Sequence, residues 1–140
     1  MSDIISAGAL ICQAVLIEKN GLQSAMRIMD AIVIGPGMAT VQFTVWTTIR
    51  SQPTDRAPHV LQVFMRKGSL KGDVVARAEP YQFRYGYGSG VLGNLSGPGG
   101  FSLTTNFNVN VVEIGGLGVY YLQVDLDQVY LTCVPLTLRQ

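Results

Sequence analysis

Charge is what this chain has least of. Only 14% of its 140 residues are Asp, Glu, Lys or Arg, against about 25% in soluble domains. Ten cations against nine anions leave a net charge of +1. That balance offers no electrostatic footprint for nucleic acid, and no block of like charge forms a tail. Histidine occurs once, at His59, and cysteine twice, at Cys12 and Cys133. A histidine-based nucleophilic triad would have to use His59, which follows Pro58 and reads as an ordinary residue at the start of a strand. Two cysteines and one histidine, widely spread, make a poor zinc set. Asp125 and Asp127 read as a hairpin turn, since LDQVY supplies too few oxygens for calcium. The expectation is no catalytic residue, no metal and no cofactor.

Long hydrophobic runs are missing too. The longest uncharged stretch near the start, Ile4 to Ile17, has 14 residues, short of the roughly 20 that a membrane-spanning helix needs. The opening MSDIISAGAL lacks the basic segment of a signal peptide. These features predict a cytoplasmic protein with no membrane insertion. Its cysteines are then reduced and packed as small hydrophobes.

What is present is apolar. Hydrophobic residues make up 48% of the chain, and the length suits a single domain over 1–140. So much apolar content in so small a chain predicts that some of it meets a partner. In ALICQAVLIEKNGLQSAMRIMDAIVI, residues 9–34, the count of alanines and leucines suggests a helix. A helix would place Gly21 in its interior at a cost of about 1 kcal/mol and would not account for the β-branched residues at 32–34. Asn20-Gly21 is instead a preferred pair for a two-residue hairpin loop. That turn sets Ile17 opposite Ser24 and Val15 opposite Met26, and it requires a bulge or strand end near Asp30.

Period two recurs along the rest of the chain. In ATVQFTVWTTI, Val41, Phe43 and Val45 point one way, and Gln42, Thr44, Trp46 and Thr48 the other. In FSLTTNFNVNV, Phe101, Leu103, Phe107, Val109 and Val111 share a face opposite Ser102, Thr104, Asn106, Asn108 and Asn110. HVLQVFMRK, VVARAEPYQFRY, GVYYLQVDL and QVYLTCVPLTL complete a set of about eight strands, with Pro80 and Pro135 at edges, bulges or strand ends. The predicted fold is all-β, an antiparallel β-sandwich of immunoglobulin-like or C2-like type with no long helix.

The two ends of the chain carry a further signal. A cysteine-bearing strand leads through a glycine turn to Ser24, Arg27, Ile28 and Asp30. The last third runs from Gly118 and Tyr120 through Asp125 to Pro135 and Leu136. These patterns resemble a family of small bacterial β-sandwich proteins of unknown function. The resemblance implies a β-sandwich and carries over no catalytic residue.

Two functional classes follow. The first is a non-enzymatic structural or protein-interaction module that assembles with its own copies or docks on a partner protein. Trp46 and Phe64 fall opposite the core residues of their strands and, with Leu16 and Met29, are the candidate interface. The second is a small ligand- or carbohydrate-binding sandwich. It would use the aromatic row Tyr81, Phe83, Tyr85 and Tyr87, with Arg84 beside it, and the loop after it, which holds seven glycines in residues 84–100. Stacking on such a row suits sugars or bases. Neither a P-loop lysine nor a following helix accompanies those glycines, so they do not read as a phosphate cradle.

Overall fold

A computed structural model describes residues 4–17, 19, 23–51, 57–84 and 100–140. Among them the regular structure is all strand: β1 (Ile4–Cys12), β2 (Ala14–Ile17), β3 (Gln23–Met26), β4 (Ala31–Val33), β5 (Thr40–Ser51), β6 (Pro58–Lys67), β7 (Val74–Arg77), β8 (Tyr81–Arg84), β9 (Gly100–Asn110), β10 (Gly118–Leu126) and β11 (Val129–Arg139). No helix among the described residues is long and apolar enough to cross a membrane.

Three sheets form. The first runs β1-β5-β9, the second β4-β11-β10-β6 with β7 and β8 both paired to β6, and the third is the hairpin β2-β3. Alternation along each strand explains why the first two sheets face each other. Val41, Phe43, Val45 and Ile49 of β5 and Leu103, Phe107 and Val109 of β9 are buried on one side. Leu61, Val63 and Met65 of β6, Leu122 and Val124 of β10, and Leu136 and Leu138 of β11 are buried on the other. All belong to one apolar cluster, so the fold is an all-β sandwich. Phe43 and Phe107, cross-strand partners, stack with centroids 5.2 Å apart and planes 9° from parallel. Tyr120 is wholly buried and affordable in the core because its hydroxyl donates to the Gly116 carbonyl, leaving no orphan donor.

The period-two segments become strands, with four differences from expectation. The described residues hold eleven strands rather than about eight, because VVARAEPYQFRY is broken around Pro80 into β7 and β8 and the first hairpin curls away as its own sheet. The sheets are not wholly antiparallel: β4 runs parallel to β11. The hairpin exists, but its register is shifted by one. Ile17 faces Gln23 and Leu16 faces Ser24; the predicted Asn20-Gly21 turn lies outside the described residues. Finally, Ser102 is fully buried rather than part of a wet outer face. The break near Asp30 is present: β3 stops at Met26, Arg27 adopts the left-handed region at φ 54°, and the Asp30 carbonyl already accepts from the Thr137 N–H of β11.

Candidate functional site

The outer face of the three-stranded sheet is where polar and apolar groups converge. Because β5 alternates, Gln42, Thr44, Trp46 and Thr48 point away from the core. Their neighbours in β9 are Asn108, Asn106, Thr104 and Ser102, and in β1 Cys12 lies beside Thr44 and Leu10 beside Trp46. A sandwich face of this kind is normally solvated. Here Cys12, Thr44 and Ser102 are all buried.

The β2-β3 hairpin covers them. The strand that began as β1 bends at Gln13 and continues as β2. The return strand bonds back to it, with Gln13 N–H donating to the Met26 carbonyl and Met29 N–H to the Ile11 carbonyl. Two contacts fold the hairpin onto the sheet. Gln23 Nε2 donates to Ser102 Oγ at 2.8 Å, reaching across from the β1 edge to β9. At its base the Gln13 carbonyl lies 3.4 Å from Thr44 Oγ1. Trp46 stands in register between those anchors. Its Nε1 is buried and, among the described residues, finds no acceptor. Burial pushes the Cys12 thiol up from its ordinary pKa, with a backbone hydrogen bond at Ala14 opposing the rise.

The hairpin's two faces differ. Val15 and Ala25, and Ile17 and Gln23, pair on the face that carries the Ser102 contact; Ala14 and Met26, and Leu16 and Ser24, pair on the other. On that outward face Leu16 is 52% and Met26 42% exposed, and Ile28 just beyond is 66% exposed. Beside the hairpin's base, where the sheet is left uncovered, Gln13, Gln42, Thr44, Asn106 and Asn108 line an open cleft of about 330 Å³.

A second arrangement lies at the rim of the core. His59 Nδ1 is 2.7 Å from Asp127 Oδ2, the other carboxylate oxygen accepts from Val60 N–H at 2.9 Å, and the imidazole tilts against Phe83 with centroids 5.4 Å apart. Asp127 and Gln128 form the β10-β11 turn with φ of 51° and 67°, the positive values of a type I′ loop. A carboxylate orienting a histidine is half of a nucleophilic constellation. The adjoining pocket, however, is lined by Val60, Gln62, Pro80, Asp127 and Gln128, with no hydroxyl or thiol to activate among the described residues. The arrangement clasps a hairpin turn to the start of β6. The sequence shows no sign of it, since 68 positions separate the two residues.

The four candidate interface residues do not form one patch. Trp46 lies beneath the hairpin and Leu16 on its outward face. Met29 packs against the core. Phe64 is on the outer face of the other sheet, with the Arg77 guanidinium 5.5 Å from its ring centroid. In the aromatic row, Phe83 is a core residue and Tyr81 packs against the core, so these two rings do not offer a stacking platform. Arg84 is exposed on the opposite side of β8. Tyr85, Tyr87 and most of the glycine-rich loop lie outside the described residues. The outward face of the hairpin as a unit, and the amide cleft, were not read from the sequence.

No family model matches the chain, and no curated protein matches it in sequence. Solved structures match at low identity. One is an alkylpurine DNA glycosylase of Pseudomonas fluorescens, bound to DNA containing an abasic site analog, at 12% identity and a TM-score of 0.44 over 94% of this chain and 30% of that one. Another is a beta-glucosidase of Listeria innocua, at 9% identity and a TM-score of 0.47 over 96% of this chain and 16% of that one. An immunoglobulin-like protein of Pseudomonas aeruginosa matches at 12% identity and a TM-score of 0.39, covering 92% of this chain and 91% of that one. The chain spans less than a third of the length of the first two. At these scores the likenesses carry no functional argument.

Proposed function

We propose that this protein is a non-enzymatic interaction module that self-associates through the outward face of the β2-β3 hairpin. The observation that carries this reading is the exposure of Leu16 and Met26 together on that face, with Ile28 exposed just beyond the end of β3. Burying a few hundred Å² of such surface gains several kcal/mol at about 25 cal/mol per Å², before association costs. Ala14, Leu16, Ser24 and Met26 are all uncharged, so this face meets its own copy across a two-fold axis without like-charge repulsion. A net charge of +1 adds little colloidal repulsion between copies. The resemblance of the chain's ends to bacterial β-sandwich proteins is in keeping with a module that carries no catalytic set.

The test is light scattering on size-exclusion fractions of the wild type and of Leu16→Glu/Met26→Glu. The wild type is expected to elute as an oligomer and the double variant as a monomer with an unchanged β-type circular dichroism spectrum. A wild type that stays monomeric at high concentration overturns the proposal. An oligomer that survives the double substitution places the interface elsewhere.

A further inference from the structure

We infer that the cleft beside the hairpin's base binds a neutral polyhydroxylated ligand, a carbohydrate, through a grid of side-chain amides. This goes beyond the self-association reading and does not depend on it. The cleft is lined by Gln13, Gln42, Thr44, Asn106 and Asn108, with Phe43 and Phe107 behind them. The two phenylalanines turn their rings into the core and the Thr44 hydroxyl is buried and already bonded to Asn106, so the chemistry offered to a ligand is four carboxamides.

Three features select the ligand class. None of the seven lining residues ionises, so an anion or cation finds no counter-charge. The amides are spaced as a lattice. Gln42 faces Asn108 and Thr44 faces Asn106 across the strand pair, at about 5 Å between partners and about 7 Å between successive outward residues. Each carboxamide offers two donors and an acceptor, which suits a hydroxyl that both gives and takes a hydrogen bond.

The third feature is preorganisation. The Thr44 hydroxyl donates to Asn106 Oδ1 at 2.8 Å. That contact engages the Asn106 amide through Oδ1 rather than through Nδ2. The contact also fixes the amide before binding, which lowers the ordering cost.

A peptide is the less suitable occupant. The cleft opens on the face of the sheet, over the outward side chains of the paired strands β5 and β9. A ligand there meets side chains rather than the backbone groups that an added strand would need. The volume of about 330 Å³ falls at the small end of ligand sites, which suits a short saccharide. With no ring exposed in the cleft for stacking, binding rests on hydrogen bonds and is expected in the millimolar range.

The experiment uses the full chain labelled with ¹⁵N, titrated separately with cellotetraose, maltotetraose and chitotetraose while side-chain amide resonances are followed. At least one of these sugars is expected to shift the amides of Gln42, Asn106 and Asn108 saturably, and Asn108→Ala and Gln42→Leu are each expected to weaken binding about tenfold with the backbone spectrum otherwise retained. Both residues are exposed and outside the core cluster, so folding is not at issue. The inference is overturned if no sugar moves these resonances at millimolar concentration, if the shifts map elsewhere, or if a neutral polar peptide moves them equally well. Light scattering on the same samples reports the oligomeric state separately.

Discussion

Trp46 and Cys12 show how one covering element changes the chemistry of a sheet face. Each sits on a side of its strand that alternation assigns to solvent, and each is wholly or partly shielded beneath the hairpin. The Trp46 indole N–H has no acceptor among the described residues, and an unmet buried donor costs about 1–3 kcal/mol. Trp46→Phe keeps most of the apolar surface and removes that donor. The substitution is expected to leave the melting temperature unchanged or slightly raised, whereas a fall of several degrees would mean that the lost ring volume outweighs the removed donor. For Cys12 the shift runs upward through burial, so the folded state holds the neutral thiol. Its stability contribution is complete below the ordinary thiol pKa. As pH rises through that value, thiolate forms in the unfolded chain before the folded one, and the contribution is lost. Cys12 is therefore expected to label slowly with iodoacetamide at neutral pH in the native protein. Rapid labelling there would contradict its burial.

At the scale of elements, what was legible in the sequence was whatever a single strand determines by itself. Phe43 and Val45 against Gln42 and Thr44, or Leu103 and Phe107 against Asn106 and Asn108, declare their faces because one side must leave water. What could not be read depended on distant partners. Asn20-Gly21 argues for a two-residue turn, yet the paired register of Ile17 with Gln23 accompanies a hydrogen bond from Gln23 to Ser102, 79 positions away. The three residues of β4 carry no mark of direction, so its parallel pairing with β11 was invisible. The same holds for the candidate site. Leu16 and Trp46 were named individually, but the outward hairpin face and the amide cleft exist only once β2 folds over the sheet. Turn chemistry also leaves a specific prediction. Gln128 occupies φ 67°, which costs a non-glycine residue about 1 kcal/mol. Gln128→Gly is expected to stabilise the fold by about 0.5 kcal/mol after the entropy cost of glycine, read as a small rise in the denaturant midpoint at constant slope. A lower midpoint would mean that the Gln128 side chain holds the turn.

For the whole molecule, the scarcity of charge and the sandwich geometry set the same demand. Two sheets turn their apolar faces to one core, and the polar residues available for the outer surfaces are few. The hairpin resolves this on one face by covering part of it, and in doing so presents its own aliphatic side to the outside. The account holds that a second copy covers that side. Its most direct test is site-specific photocrosslinking: p-benzoylphenylalanine placed at position 16, with position 129 as a control, since Val129 is also exposed but lies on the far hairpin of β10 and β11. The account predicts a covalent dimer from position 16, with the captured peptide drawn from the partner's residues 14–28, and little from position 129. No dimer from position 16, or equal yields from the two positions, would contradict it.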